Sequence, residues 1–278
     1  MTQSHAEWAI ALFNRSVLKQ AKYRRVLELL ENPQGKTSLD IGADNGVISY
    51  LLRQRGGRWY SADLDAATVA AIRDLVHQDV YQLTGGAAPF PDHTFDQIVI
   101  VDFLEHIPDD AGFVRELQRI LKPGGVLIVN VPHLKPHSIL NRLRHRIGLT
   151  DEWHGHLRPG YSLDGLRRLL EPAFIIERAV TYSGTFSELV DTGINGVYET
   201  LKRRRGGSGQ SGKGTVVTRG DLEQHRKQFR ILSRLYPLIW TVARMDALLP
   251  FQQGYKLIIR ARLRQSAALG GTPAAASA

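Results

Sequence analysis

The order of apolar and polar residues predicts that the chain begins with a helix. Between residues 6 and 31, apolar side chains recur at the three- and four-residue spacing of one helix face. These positions are Trp8, Leu12, Val17, Leu18, Val26, Leu27 and Leu30. The segment NPQGK at 32–36 follows, and its Pro and Gly are expected to end the helix.

From residue 37 onward, short apolar runs alternate with segments of helical period. The predicted strands are 37–42, 58–64, 77–83, 95–102 and 126–132, and the predicted helices between them are 46–55, 66–76 and 109–121. Asp65 is expected to cap the helix that begins at residue 66. This rhythm predicts a parallel sheet with right-handed crossovers. Ligands of such sheets bind at the carboxyl ends of the strands.

The pattern loosens after residue 132. The remaining predicted elements are a helix at 162–172, which Ser162 caps, strands at 173–183 and 254–263, and a helical segment at 221–251. Within that helical segment, a kink or break is expected at Tyr236-Pro237. Residues 201–220 are rich in Gly, Ser, Lys and Arg, which predicts a mobile loop.

The composition fits a globular protein without cysteine chemistry. The 278 residues are 43% hydrophobic and 23% charged, which is enough to bury a core. Because Cys is absent, disulfides, thiolate nucleophiles and Cys-ligated zinc are excluded. No uncharged apolar run reaches the roughly 20 residues of a membrane span, and the N-terminus lacks the order of a secretory signal. A cytoplasmic location is therefore expected.

The turn after the first predicted strand carries acids where a phosphate-binding loop would have none. The segment SLDIGADNGVISYLL places Asp40 and Asp44 beside Gly42 and Gly46. The dinucleotide fingerprint G-x-G-x-x-G fails at two of its three positions, where Asp44 and Val47 stand. A carboxylate at a helix N-terminus would also repel a pyrophosphate. The loop therefore favours a nucleoside ligand that carries positive charge instead of phosphates.

Four motifs in order resemble those of class I S-adenosylmethionine-dependent methyltransferases, in their small-molecule, type 11-like group. LDIGADNG resembles the family's first motif, D-x-G-x-G-x-G, with Asp44 at the middle glycine. Asp63 follows Gly46 by 17 residues, where the family keeps an acid that binds both ribose hydroxyls. HQDV and APFPDHTFDQIVIVDFLEHIPD resemble the third and fourth motifs, and RILKPGGVLIVNVP resembles the following helix, turn and fifth strand. The match covers roughly residues 38–132 and recurs at GLRRLLEPAFIIERA and GYKLIIRARL.

The resemblance implies a fold and a set of cofactor contacts. The fold is α/β and doubly wound, with a mostly parallel sheet of about seven strands, one late antiparallel strand and a helical lid insertion. The cofactor is S-adenosyl-L-methionine. The residues implied to bind it are Asp40, Gly42, Ala43, Asp44, Gly46, Asp63, Leu64, Asp79, Val80, Asp102 and Phe103. Asp79 and Val80 would flank the adenine, whereas Asp102 and Phe103 would line the methionine side. A structural role for Asp40 and a helix-capping role for Asp102 remain open.

On this interpretation, residues 1–264 form a single domain. It consists of a helical cap at 1–35, a cofactor-binding core at 36–132, and lid or substrate insertions at 133–160 and 184–252. The tail at 265–278, rich in small residues, is expected to be disordered. The oligomeric state does not follow from the sequence.

Three histidines are candidates for catalysis. Methyl transfer is an in-line displacement that needs alignment, and a hydroxyl acceptor also needs a base. His106 follows the fourth strand, and His154 and His156 lie in the segment EWHGHLRPGYS. A structural role for His106, in which it bonds a nearby backbone group, is the favoured alternative. The His154-x-His156 pair suggests a metal, but without an evident third ligand no metal is predicted.

The net charge of +9 lies in the late part of the chain. Residues 1–200 carry a balance of −3, and residues 201–264 carry 15 Lys and Arg against 3 acids, a balance of +12. The same segment is rich in apolar side chains around Trp240, which favours a lid over the cleft or an interfacial helix on anionic lipid. It disfavours nucleic acid as a partner.

These observations lead to one preferred function and two alternatives. The preferred one is a methyltransferase that acts on a small, lipophilic or lipid-linked molecule through an O, N or C acceptor. A peripheral membrane location is compatible with it. The alternatives are an RNA methyltransferase that uses the basic segment 201–234, and a non-catalytic module that binds the cofactor.

Overall fold

A computed structural model describes residues 5–43, 45–84, 87–135, 140, 144, 156–204 and 219–265. These residues form one seven-stranded sheet flanked by helices. In chain order the elements are α1 (His5–Phe13), α2 (Val17–Leu29), β1 (Thr37–Ile41), α3 (Val47–Arg53), β2 (Arg58–Asp63), α4 (Ala66–Val76), β3 (Val80–Gln82), β4 (Phe95–Val101), α5 (Asp110–Ile120), β5 (Leu121–Pro132), α6 (Leu163–Leu170), β6 (Phe174–Tyr182), α7 (Thr185–Arg204), α8 (Arg219–Arg244) and β7 (Lys256–Leu263), with short 3-10 helices at Leu104–His106 and Met245–Leu248.

The sheet has the strand order β3-β2-β1-β4-β5-β7-β6. Strands β1 to β5 run parallel to one another, and β7 is antiparallel to both β5 and β6. The predicted fold, a mostly parallel sheet with one late antiparallel strand, is therefore confirmed. The strand order reverses beside β1, so the carboxyl ends of β1 and β4 border the crevice where ligands of such sheets bind.

The central strands are buried on both faces. All but one residue of β4 and of β1 are buried, and helices cover both sides. The apolar run at the end of β4, Ile98 to Val101, is the sequence signature of such a strand, and β4 could be predicted from it. Helix α4 begins after Asp65, whose carboxylate accepts the backbone N–H of Thr68 at 2.8 Å, and the predicted cap is confirmed. The predicted Ser162 cap of α6 is confirmed as well.

Three predictions about helices were wrong. The single helix expected over 6–31 is two helices, because Ser16 adopts an extended conformation and caps α2 through Lys19 N–H. Of the kink or break predicted at Tyr236-Pro237, the break does not occur, because helix α8 continues through Pro237. Residues 201–204 and 219–220, all expected in a loop, are the last residues of α7 and the first residues of α8. The remainder of that predicted loop, 205–218, lies outside the described residues, as do most of 133–160 and all of 266–278.

Helices α7 and α8 pack against each other beyond the sheet. The carboxylate of Asp246 accepts the backbone N–H groups of Gly184 and Phe186 at 2.7 and 2.8 Å, and so holds the start of α7. Tyr236 of α8 exchanges hydrogen bonds with Gln20 of α2. These contacts connect the late helices to the N-terminal part of the chain.

Candidate active site

The loop between β1 and α3 turns sharply at two glycines. Gly42 has φ +81° and Gly46 has φ +80°, a region that disfavours every residue with a side chain. A Cβ atom on Gly42 would lie 2.4 Å from Val101 O, and one on Gly46 would lie 2.8 Å from the Cα of Ile72. Both glycines therefore let the loop lie directly against its neighbours. Gly42 and Gly46 are the first and last glycines of the first motif, so the motif keeps glycine where this loop requires it.

Asp40 is buried beneath the loop rather than directed out of it. Its two carboxylate oxygens accept hydrogen bonds from Ser49 Oγ at 2.5 Å and Ser61 Oγ at 2.8 Å. Arg53 lies 3.6 Å from the same carboxylate. Burial raises the pKa of Asp40, and the charge of Arg53 opposes that shift. These contacts favour the structural role for Asp40, which joins α3 to β2 below the turn.

Asp63 ends β2 at the same edge of the sheet. Its Oδ1 accepts the backbone N–H of Leu64 at 2.7 Å and of Asp65 at 3.4 Å. Residues of the adjacent strand β3 hold the turn from the other side, because Leu83 N–H donates to Asp63 O at 2.8 Å and Gln82 Nε2 donates to Leu64 O at 3.0 Å. The carboxylate is thus oriented by backbone groups at the position where the family resemblance expects the ribose.

Asp79 and Val80 lie at the opposite end of β3 from the crevice. Ser61 pairs with Val80 and Asp63 with Gln82, so Asp79 is three residues, or about 10 Å, below the strand end. The Asp79 carboxylate faces Arg58 at 3.6 Å, and Val80 is a core residue. Their assignment to the adenine is corrected accordingly, because the carboxyl edge of β3 consists of Gln82 to Thr84.

Asp102 follows β4 and is the centre of a cluster of charges. Its carboxylate forms ion pairs with Lys22 of α2 and with Lys256 of β7, the latter at 3.0 Å. Asn130 Nδ2 donates to the same carboxylate at 2.9 Å, and the Asn130 side chain accepts from Tyr182 OH at 2.6 Å. Burial opposes ionisation, but the two lysines outweigh it and hold the pKa of Asp102 well below its usual range. Asp102 is therefore an ion-pair centre and does not cap a helix.

Phe103 and Ala43 are largely buried. Phe103 packs against Phe113 with ring centroids 5.4 Å apart, and its Cβ lies beside Gly42. Ala43 packs in the cluster of α1, α3 and α4. Both residues support the loop through their packing. A direct contact of either residue with the cofactor stays a prediction.

Two of the predicted catalytic histidines lie together, beside a carboxyl group that the sequence did not indicate. The rings of His106 and His156 are 5.1 Å apart between centroids, and His156 Nε2 is 3.9 Å from Glu105 Oε1. Burial, and then the nearby charge of Asp102, raise the pKa of Glu105 to about 8, while Lys256 and Lys22 act in the opposite direction.

The segment that carries His156 is attached to the turn after β4. Leu157 N–H donates to Glu105 O at 3.0 Å, and Arg158 Nη2 donates to Ile107 O at 2.7 Å. Tyr161 OH donates to Asp110 at 2.9 Å. His156 is thereby fixed at this edge, whereas the predicted catalytic His154 and cofactor residue Asp44 lie outside the described residues.

The sequence did not indicate Lys22, Lys256 and Asn130 as part of this site. Each comes from an element distant along the chain, and no local spacing connects them with Asp102. Glu105 lies in the motif FLEHIPD, but no local pattern distinguishes it from an ordinary acidic residue. The sequence suggested a site with mainly negative charge. In the structure Arg53 faces Asp40 and two lysines face Asp102, so the site carries charges of both signs.

Residues 39–129, from β1 into β5, match the family of the methyltransferase domain. An ubiquinone biosynthesis O-methyltransferase of Pseudomonas paraeruginosa is 33% identical over 115 residues, which are 38% of this chain and 48% of that protein. A demethylmenaquinone methyltransferase of Tropheryma whipplei is 32% identical over 118 residues, 41% of this chain and 49% of that protein. The chain thus spans about half the length of these curated relatives.

The fold is shared with solved structures at lower identity. The crystal structure of the cyclase SpnF superposes with a TM-score of 0.56 and 19% identity, covering 88% of this chain and 81% of that chain. The strand order and the antiparallel β7 agree with the fold predicted from the motifs, and within that fold residues 39–129 match the methyltransferase domain. The predicted resemblance to a methyltransferase is confirmed over residues 39–129. Because a cyclase has a similar fold, the fold alone does not determine which reaction is catalysed.

Proposed function

We propose that the protein transfers a methyl group from S-adenosyl-L-methionine to a small lipophilic molecule. The proposal rests mainly on the edge of the sheet where β1, β2 and β4 end. The glycine turn, Asp63 and Asp102, the centre of the charge cluster, lie along this edge, within the segment that matches the methyltransferase domain. When bound, the cofactor supplies an electrophilic methyl group on a sulfonium. The protein's part is to bind, orient and shield the reactants.

The residues at this edge fit the cofactor's chemistry. An adenosine offers a ribose diol, and the oriented carboxylate of Asp63 is suited to accept two hydroxyl hydrogen bonds. The amino-acid end of the cofactor carries both an ammonium and a carboxylate. The cluster of Asp102 with Lys22 and Lys256 contains charges of both signs, which suits such a zwitterion. Gln82 to Thr84, at the carboxyl end of β3, are the proposed neighbours of the adenine.

An unusual distribution of apolar side chains supports a lipophilic substrate. Helix α8 and the turn after it expose Ile231, Leu235, Leu238, Trp240, Met245, Leu248, Leu249 and Phe251. Phe251 is 99% exposed and Leu248 is 70% exposed. Exposed Arg230, Arg234 and Arg244 accompany them, and Arg244 lies over the Trp240 ring at 4.1 Å. Apolar bulk with flanking guanidinium groups is typical of a surface that binds anionic lipid.

Helix α7 has the same character on its own surface. Its buried side is polar, since Glu188 pairs with Lys135 at 2.6 Å and Asp191 approaches Arg144 at 3.4 Å. Its exposed positions include Leu189, Ile194 and Val197. A helix whose outer side faces only water would bury its apolar side chains and expose its polar ones. None of the described helices is long and apolar enough to cross a bilayer, so we infer contact at the membrane surface rather than insertion.

Vesicle co-sedimentation tests the membrane part of the proposal. Vesicles of phosphatidylglycerol and phosphatidylcholine should bind the protein more strongly than vesicles of phosphatidylcholine alone. Replacing Leu248 and Phe251 by Asp should lower binding about 10-fold or more, because burial of two large apolar side chains is lost. Ile175→Asp is the matched control, because Ile175 is 50% exposed on β6. Equal binding of all three proteins would refute the membrane contact.

Transfer of a labelled methyl group tests the reaction. The protein is incubated with cofactor carrying a trideuteromethyl group and with a solvent extract of bacterial membranes, and the extract is examined by mass spectrometry. An acceptor that gains the labelled group, together with S-adenosylhomocysteine, is the expected result. Turnover of the extract without label in any product would favour a cyclase-like role, and tight cofactor binding without turnover would favour the non-catalytic module.

The RNA methyltransferase is the less favoured alternative. Its support is the basic charge at 201–234. However, Ile231 in that segment is a large exposed apolar side chain, and the exposed Leu235 and Leu238 follow it on the same helix. Such side chains do not suit a surface that follows phosphates. The side chains of Lys202 to Arg205 lie outside the described ones. Salt-dependent RNA binding that disappears when Lys202 to Arg205 are neutralised would revive it.

A further inference from the structure

Glu105 is a fully buried carboxyl group at the rim of the candidate active site. Its exposure is 0%, and neither carboxylate oxygen accepts a hydrogen bond from another residue in the part of the chain that the structure describes. Buried carboxylates are normally hydrogen-bonded, paired or bound to a metal, because an isolated buried charge is strongly destabilised. Glu105 therefore needs either a proton or a cation.

Two imidazoles are placed to complete a cation site. His156 Nε2 is 3.9 Å from Glu105 Oε1, and one donor atom from each of Glu105, His106 and His156 lies within 4.8 Å of the others. Bonds of about 2.0–2.1 Å to zinc put two tetrahedral ligand atoms roughly 3.4 Å apart. Small side-chain rotations would bring these three donors to that separation.

The donor set selects the kind of ion. Calcium and magnesium prefer oxygen ligands alone, whereas two imidazoles and one carboxylate suit zinc and other first-row divalent ions with open coordination positions. We propose that Glu105, His106 and His156 form a binding site for a divalent transition-metal ion.

The backbone around the three ligands is held in place. His106 N–H donates to Phe103 O at 3.0 Å within the turn after β4, and Leu157 N–H donates to Glu105 O at 3.0 Å. The second bond connects the segment carrying His156 directly to the ligand Glu105. A site of this kind is assembled by tertiary contacts and does not depend on a local His-x-His pair.

The role of the ion rests on the proposed function. Glu105 and His106 follow Asp102 at the carboxyl edge of β4, where an acceptor would meet the cofactor. An ion held there by Glu105, His106 and His156 would lower the pKa of an acceptor hydroxyl and orient its oxygen. The hydroxyl proton leaves to water, the oxygen lone pair forms the new bond to the methyl carbon, and the carbon–sulfur electron pair remains on sulfur. Phenols with two adjacent oxygens, which chelate open positions, are the substrate class this site favours.

Metal uptake tests the site without cofactor or acceptor. The full chain, untagged and stripped with a chelator, is titrated with Zn²⁺ by calorimetry and with Co²⁺ by visible absorption. One equivalent should bind. Glu105→Gln and His156→Ala should each lower the affinity about 100-fold or more, since loss of a direct ligand exceeds the 10–100-fold effect of outer partners. No saturable binding by the wild type, or unchanged binding in both variants, would overturn the proposal.

His77→Asn is the matched control. His77 is an exposed histidine directly after α4 and does not belong to the cluster of Glu105, His106 and His156. Its loss should leave zinc binding unchanged. Zinc should also raise the melting temperature of the wild type and the control but not of Glu105→Gln. If Glu105→Gln does not fold, His156→Ala decides the question by the same measurements.

The two proposals fail in different ways. Zinc uptake that depends on Glu105, together with no methyl transfer, would refute the proposed function and leave the metal site in place. Methyl transfer by a protein that takes up no zinc would refute the metal site alone.

Discussion

Replacing Gly42 by Ala tests the close approach of the cofactor loop to the sheet. A Cβ atom at residue 42 would lie 2.4 Å from Val101 O and 2.8 Å from Phe103 Cβ, and the backbone has φ +81°. The left-handed backbone costs a residue with a side chain about 1–2 kcal/mol. Overpacking in a dense interior adds about 1–3 kcal/mol. Gly42→Ala should therefore destabilise the fold by about 2–5 kcal/mol in total.

Two other glycines separate these contributions. Gly35 has φ +72° but no atom within 4 Å of its would-be Cβ, so Gly35→Ala should cost only the backbone share, about 1–2 kcal/mol. Gly193 lies within helix α7 with nothing within 4 Å, so Gly193→Ala should stabilise by up to about 1 kcal/mol. The order of stability should be Gly193→Ala, wild type, Gly35→Ala and Gly42→Ala.

The assay is denaturant unfolding followed by circular dichroism, with cofactor affinity measured by calorimetry on the same samples. Gly42→Ala should also weaken S-adenosylhomocysteine binding, because the loop must move away from Val101, whereas Gly35→Ala should not. If Gly42→Ala were no less stable than Gly35→Ala, the packing of the loop against β4 would be refuted.

Three further predictions concern charged residues. Asp63→Ala should weaken S-adenosylhomocysteine binding by about 1–3 kcal/mol, measured by calorimetry, because hydrogen bonds to a charged acceptor are lost; Asp74→Ala, an exposed acid on α4, is the control and should not. In metal-free protein, the pKa of Glu105 is raised from 4.5 in the unfolded chain to about 8 in the folded protein. The free energy of unfolding should therefore be greatest below pH 4.5 and should decline as the pH rises to about 8, by at most about 5 kcal/mol. Glu105→Gln should remove that decline in denaturant titrations across pH, and an identical slope in both proteins would contradict it. Asp102→Asn should destabilise the fold by about 3 kcal/mol, because Lys22 and Lys256 are left partly buried without their partner, and unchanged thermal unfolding would show the cluster to be unimportant.

The elements of the sheet could be predicted from the sequence because their signals are local. Strands buried on both faces appear as continuous apolar runs, as in β4, and the Asp65 cap lies three residues before its partner Thr68. The division of the first helix depended on a hydrogen bond from Lys19 to Ser16, which the apolar periodicity does not contain. A kink or break was expected at Pro237, but α8 continues through it, and the neighbouring Tyr236 accepts a hydrogen bond from Gln20 of α2, a tertiary contact that the local sequence does not contain.

The candidate site was only partly predictable, because its charge pairs connect distant segments. Asp63 could be located from its spacing and its position after a strand. The side chain of Asp40 was expected at the ligand, but its strand is buried on both sides, and Ser49, Ser61 and Arg53 surround it. The position of Asp79 was mistaken because β3 is only three residues long, and its direction and register place that acid at the far end. Glu105 meets His156 only through the tertiary fold.

Two calorimetric titrations of the wild-type protein, one with S-adenosylhomocysteine and one with NADH, test whether the crevice beside β1 binds a nucleoside without phosphates rather than a dinucleotide. S-adenosylhomocysteine should bind saturably, with binding weakened by Asp63→Ala, and NADH should not bind. Saturable NADH binding, with no heat from S-adenosylhomocysteine, would contradict this expectation.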